Sequence, residues 1–248
     1  MVKVGAIVQA RTSSTRLPGK ILKELPYGSG ITVLEQVIRR LNKSQKLDEI
    51  IIATTKDTED DRIVEVAKKR NIKWFRGSNE DVLSRYYLVA KENNIDVIAR
   101  ITSDCPCIDP EIVDSVVDEH ITTMADYTSK CHLTKYHLSN SLVKTFPSGL
   151  DVEVFNFDTL EKTYKEAKKD YEREHVTPYI YRNPHLFKVN QLASGELSTL
   201  HISLDTEKDY ILLCAVFDYL YPQNEYFNAY DIVNLFKEKP WLKLINRE

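Results

Sequence analysis

A chain of 248 residues is long enough to bury a sizeable core, in one large α/β domain or two small ones. Its 42% hydrophobic and 29% charged residues describe an ordinary globular protein, and a net charge of −3 leaves no electrostatic footprint for nucleic acid. No run nears the roughly 20 apolar residues of a membrane span. The amino terminus lacks a signal-peptide pattern, and the four cysteines match no zinc or CxxC spacing, so a reduced, cytoplasmic protein is expected.

In chain order, the apolar run at 4–8 reads as a short buried strand. Residues 32–41 have helical spacing, with Val33, Val37 and Leu41 on one face. A second strand follows at 49–54. The next helix, over 58–70, begins at Asp57 or Thr58 and carries acids in its first turn, where they complement the helix dipole. A strand at 73–75, a helix over 81–93 and a strand at 97–101 continue the alternation. That rhythm predicts a parallel, doubly wound sheet with helices on both faces, which binds ligands at the carboxyl ends of its strands. Residues 129–144 lack a clear period and read as a loop or hairpin. Residues 150–155 alternate as a half-exposed strand does. A charged helix over 159–169, apolar runs at 186–189 and 201–204, and helices over about 207–220 and 229–236 complete the chain. No repeat or linker divides it.

The most informative segment is 9–20, QARTSSTRLPGK, where the first strand hands over to a loop. It carries three cations (Arg11, Arg16, Lys20), four hydroxyls (Thr12, Ser13, Ser14, Thr15) and a Pro-Gly turn. Guanidinium forks pair bidentately with phosphate oxygens, a lysine adds a point charge, and hydroxyls and backbone N–H groups fill in. The segment therefore suits a phosphate chain, against the plainer reading of a basic surface loop. A P-loop is disfavoured: Ile21 follows Lys20 where Ser or Thr is needed, and the glycine spacing fails.

Two further constellations lie at strand ends. Asp104 follows the strand at 97–101, and Asp205 follows the run at 201–204. Two carboxylates brought to one sheet edge are what a magnesium–triphosphate complex needs, because magnesium takes one or two carboxylates plus phosphates and waters. Asp205 has an ordinary alternative as the N-cap of the following helix. In GLDVEVF, period two places Asp151 and Glu153 on one face, able to hold the hydroxyls or amine of a second substrate or simply to be solvated. In EREHVTP, His175 stands beside two acids and an arginine, as a binding group or as part of a solvated helix end.

QARTSSTRLPGK, RITSDCP, FPSGLDVEVF, EREHVTPYI and SLDTEKD, in that order, resemble the cytidylyltransferase family of CMP-sugar synthetases, the enzymes for KDO and acylneuraminate among them. The likeness is strongest to its spore-coat polysaccharide biosynthesis protein F branch and runs through about residues 3–210. The resemblance implies a Rossmann-like α/β/α sandwich of the nucleotide-diphosphosugar transferase kind, commonly a homodimer. It implies one domain over 1–248, with an acceptor-binding or dimerisation subregion around 129–190. Arg11, Lys20 and Asp104 would be catalytic, and Ala10, Arg11, Ser14, Arg16, Lys20, Arg76, Arg85 and Ser103 would hold the nucleotide. Asp104 and Asp205 would bind Mg2+, while Asp151, Glu153 and His175 would face the acceptor. The expected reaction transfers CMP from CTP to an acidic sugar such as a nonulosonic acid or KDO, with release of pyrophosphate. Competing readings are use of another triphosphate, a phosphate or phosphonate acceptor, a related glycosyltransferase, or a non-enzymatic nucleotide sensor. The glycosyltransferase would carry a metal-binding Asp-x-Asp, of which Ser103-Asp104-Cys105 supplies one aspartate.

Overall fold

A computed structural model of the protein describes residues 2–130, 147–192 and 200–247. Among these residues the strands are β1 (Val4–Gln9), β2 (Glu49–Thr55), β3 (Lys73–Gly77), β4 (Val97–Thr102), β5 (Tyr127–Lys130), β6 (Val152–Asn156) and β7 (Val189–Gln191). They form one sheet in the order β3-β2-β1-β4-β6-β5-β7. The first four strands run parallel, as the alternation of elements predicts. β6 breaks the rule, lying antiparallel between β4 and β5, while β7 is parallel to β5.

Alternate residues of β1 show how the sheet is covered. Ala6 and Val8 join a core made with α1 (Val33–Leu41), α2 (Asp61–Lys69), α4 (Pro110–Thr123), α8 (Glu207–Leu220) and α9 (Ala229–Glu238). Ile7 points the other way, into a core made with α3 (Val82–Glu92), α5 (Phe157–Glu166) and α7 (Pro178–Tyr181). Both faces of the sheet are therefore dry, and the architecture is an α/β/α sandwich. A further short helix, α6 (Asp170–His175), precedes α7. No described helix is long and apolar enough to cross a membrane.

Several expected elements differ. The strand expected to be half exposed is interior: Val152 and Val154 pack in one core, Phe155 in the other, and Glu153 is buried. Alternation misleads here because β6 has neighbours on both edges and helices on both faces. Its acid is tolerated because the register sets Arg100 directly opposite. The run 201–204 makes only an isolated bridge, His201 with Ser148. The helix expected from 58 begins with a 3-10 turn at Thr58–Asp60 before α2 proper. Helix α4 adds an element to those expected: Ile112, Val113, Val116 and Val117 form its apolar stripe, Asp109 caps it and Pro110 opens it. Of the loop expected at 129–144, residues 129 and 130 end β5; the rest, with Cys131, His132 and His137, lies outside the described residues.

Backbone contacts fix the segment that leads to Asp205. Ser148 N donates to Leu200 O at 3.1 Å, and Ile202 N donates to Ser148 O at 2.8 Å. Gly149 sits at φ +106, and a Cβ there would fall 2.6 Å from Ile202 C and from Ser203 N. Only glycine fits such a backbone-on-backbone approach. Gly149→Ala is expected to lose about 2 kcal/mol or more of stability in urea unfolding; an unchanged midpoint would show that the two segments part easily.

Candidate functional site

The segment after β1 is a tied arch. Thr12 O accepts from Ser14 N at 2.8 Å and from Gly19 N at 2.9 Å, closing the loop on itself. Gly19 takes the left-handed conformation (φ +69) and leads into a 3-10 turn over Lys20–Leu22, anchored by buried Ile21. From below, Asp60 clamps the arch to β2. One of its oxygens accepts Thr12 N at 2.8 Å and Thr12 Oγ1 at 2.7 Å; the other accepts the hydroxyls of Thr54 and Thr55. Burial alone would raise the Asp60 carboxyl, but the hydroxyls of Thr55 and Thr12 and the Thr12 amide hold it below its ordinary value. Four donors on one buried carboxylate tie Thr12, and with it the start of the arch, to β2.

The inner end of the arch meets two carboxylates. Lys20 Nζ donates to Asp104 Oδ2 at 2.7 Å, Asp205 Oδ1 at 2.9 Å and Leu204 O at 2.6 Å. Arg16 pairs with the same Asp205 oxygen at 2.9 Å. Leu204 N donates to Asp104 O at 2.9 Å, so the two aspartate-bearing segments are stitched together through the backbone as well. Burial opposes the charge on Lys20, but Asp104 and Asp205 outweigh it and raise its pKa. Burial likewise opposes ionisation of Asp104, and Lys20 brings that carboxyl below its ordinary value. Asp205 is not the cap of α8: Thr206 takes that part, in a capping box with Asp209, and leaves the Asp205 side chain to the cations.

These groups line a cleft of about 310 Å³. Ala10, Arg11, Ser14, Arg16 and Lys20 come from the arch, Ser103 and Asp104 from the end of β4, and Asp205 from the turn before α8. Across from them α6 supplies Glu174 and His175, and Arg11 reaches Glu174 at 3.3 Å. Burial lowers the His175 pKa, and Arg100 and Arg11 reinforce it against the pull of Glu174, so its ring is neutral at pH 7. Arg85, from α3, is 2% exposed; one terminal nitrogen donates to Ala53 O at 3.0 Å while Nε has no partner. Gly77 makes room for it, since a Cβ there would meet Arg85 Cγ at 2.6 Å. Four cations and three carboxylates thus line one cleft, a surplus of positive charge fit for a polyanion.

The structure does not bring Arg76, Asp151 or Glu153 to this cleft. Arg76 is spent on the turn after β2, donating to Thr55 O at 2.8 Å and Asp57 O at 2.6 Å and pairing with Asp61. Glu153 is locked in the sheet by Arg100, Tyr127 and Thr177, whose hydroxyl donates to it at 2.7 Å. Asp151 accepts from Gly149 N at 3.0 Å. Two residues that complete the site stand outside the expected site set. Asp60 lies 48 positions from Thr12 and meets it only through the fold. Glu174 is one of several acids in its helix, and only α6 docking at the cleft singles it out.

The sequence profile of the cytidylyltransferase family matches residues 5–234. The chain belongs to this family. It is 33% identical to the spore coat polysaccharide biosynthesis protein SpsF of Bacillus subtilis, over 85% of each protein. It superposes on a cytidylyltransferase from Leptospira borgpetersenii with a TM-score of 0.89 and 34% identity, over 100% of this chain and 99% of that one. A CMP:2-keto-3-deoxy-manno-octonic acid synthetase solved with CTP shares the fold at a TM-score of 0.65 and 16% identity, over 87% of this chain and 98% of that one. The cytidylyltransferase is thus a nucleotidyltransferase enzyme with the nucleotide-sugar transferase fold that the resemblance implied.

The Asp60 clamp makes a pH-dependent prediction for this cytidylyltransferase. A carboxyl whose folded pKa is depressed stabilises the protein above its unfolded value, near 4, and that contribution disappears as pH falls through the folded value. Asp60→Ala should cost about 2–4 kcal/mol at pH 7, with the gap to wild type narrowing below about pH 4, in urea unfolding at stepped pH. A gap independent of pH would refute the clamp.

Proposed function

We propose that the cleft transfers CMP from CTP to an acidic sugar, a nonulosonic acid or a KDO-like acid, releasing pyrophosphate for surface-polysaccharide synthesis. The observation that carries this reading is the convergence of Lys20, Asp104 and Asp205 at the inner end of an arch bearing Arg11 and Arg16. The spore-coat polysaccharide name of one relative and the CTP bound to the keto-sugar-acid synthetase support the substrate classes.

The triphosphate lies along the arch. Arg11, Arg16 and Lys20 grip its β- and γ-phosphates, with Ser14 and arch N–H groups filling in. An acceptor oxygen attacks the α-phosphorus in line, forming the new P–O bond as the bond to pyrophosphate breaks. The protein contributes position and charge rather than covalent chemistry. At about 4 Å and an effective dielectric near 20, each well-placed unit charge is worth about 4 kcal/mol before desolvation. The residues present also fit a magnesium ion: Asp104 and Asp205 converge within 2.9 Å of one point, the place of the Lys20 ammonium, and both are hard oxygen donors. When bound, the ion supplies charge neutralisation of phosphate oxygens. The acceptor is assigned to the α6 side, within the 129–190 part of the chain. There neutral His175 can hydrogen-bond a sugar hydroxyl. Asp151 and Glu153 drop out of the acceptor set.

Lys20→Ala and Asp104→Ala should each reduce CTP-dependent pyrophosphate release by at least about 100-fold. Arg76→Ala should keep activity within a few-fold, because its partners are structural. Product masses from CTP, magnesium and a panel of acidic sugars, phosphates and phosphonates identify the acceptor. Full activity of both the Lys20 and the Asp104 variants would overturn the site.

A further inference from the structure

We propose that Lys20 is the resident cation of the Asp104–Asp205 seat. Its ammonium holds the place of a divalent ion until phosphates draw it away, so that the metal enters with the nucleotide and not before it. This inference rests on the reading that Asp104 and Asp205 hold a metal, and it adds the order in which the seat is filled.

A lysine ammonium has three donors, and all three are used: on a carboxylate oxygen of Asp104, one of Asp205, and the carbonyl of Leu204. Two carboxylates and a carbonyl are also the oxygen set a hard divalent cation takes. The Lys20 side chain is 11% exposed, so the seat is filled by the side chain and not by loosely held water.

Two cations cannot share that seat. An ammonium and a divalent ion about 4 Å apart repel strongly even at an effective dielectric near 20, and the carboxylates have no spare charge to offset the repulsion. Arg16 already lies on Asp205 Oδ1, so two cations balance two carboxylates in the resting protein. A free divalent ion therefore meets a neutral, occupied site. A triphosphate on the arch changes both terms at once: its oxygens give Lys20 and Arg16 alternative partners, and their departure leaves two carboxylates facing a single point. Metal uptake and phosphate capture are coupled through one side chain. The opposite possibility, that Lys20 is a permanent tie between the two loops, predicts that no metal binds there whatever the nucleotide.

The test uses the full-length protein without nucleotide, titrated with Mn2+ and read by the loss of the free-ion electron paramagnetic resonance signal. Wild type should show no tight site, whereas Lys20→Met should gain one at least tenfold tighter, and Lys20→Met with Asp104→Asn should lose it again. Mn2+ should likewise raise the melting temperature of Lys20→Met and not that of wild type. If Lys20→Met does not fold, Lys20→Gln takes its place in both measurements. Equal Mn2+ affinity in wild type and the folded Lys20 variant overturns the placeholder role, provided Asp104→Asn weakens Mn2+–CTP binding. If Asp104→Asn binds Mn2+–CTP as well as wild type does, the metal reading of the aspartates has failed, and this inference falls with it.

Discussion

The Lys20 ammonium draws together three stretches of chain that are far apart in sequence: the arch after β1, the loop after β4 and the turn before α8. Asp104 is 84 positions away and Asp205 is 185. Without the cation, two carboxylates would face each other in a poorly solvated corner, a repulsion of about 4 kcal/mol at an effective dielectric near 20. Removing one partner of a buried pair costs about 3–5 kcal/mol, because the charge left behind has nothing to offset its lost hydration. The cleft therefore keeps its shape because its charges are matched, and the same matching decides what can enter it.

Sheet topology explains why three distant segments arrive at one edge. β1 and β4 are parallel neighbours, so their carboxyl ends deliver the arch and Asp104 side by side. β6 runs the other way against β4, with Arg100 opposite Glu153 and Val97 opposite Asn156. Its amino end, with Gly149 just before it, therefore lies at that same edge. Ser148 and Gly149 then pack against residues 200–203 and hand the chain to Asp205. A wholly parallel sheet would have placed the start of β6 at the opposite edge, away from the cleft.

The parts of the site legible in the sequence are those whose chemistry is concentrated locally. Cations, hydroxyls and a Pro-Gly turn within twelve residues announce the arch without knowledge of its neighbours. Asp104 follows from a strand end. Asp205 was open between a cap and a site residue, and Thr206 resolves it, because one residue caps a helix and the next-door acid is then released. Arg76, expected from the resemblance, is taken up by the turn after β2, and Glu153, expected from period two, is turned inward: whether a polar side chain in a strand faces a cleft depends on which strands flank it, and period two does not carry that information. Glu153 alternates with valines as a solvated acid would, yet its neighbour across the ladder is Arg100. Asp60 and the buried Arg40, which donates to Ile108 O at 2.8 Å and binds Phe227 O, act through contacts 48 and 187 positions distant. Helix α4, by contrast, is fully legible: Ile112, Val113, Val116 and Val117 form its stripe, with Asp109 and Pro110 at its start.

The pairing of the arch cations is graded, and the gradient has a direction. Arg11 and Glu174 are 40% and 49% exposed at their side chains, and such a pair contributes about 1 kcal/mol or less. Arg16 is 65% exposed and shares an oxygen that Lys20 already uses, so its hold is also light. Lys20, at 11% exposure with three acceptors, is held far more firmly. A polyanion reaching the arch can therefore take Arg11 and Arg16 at small cost, while Lys20 yields only to a ligand that replaces its oxygens and leaves a cation on the aspartates. A phosphate group alone meets the first condition and not the second. In the proposed reaction the outer cations capture, and the inner one discriminates.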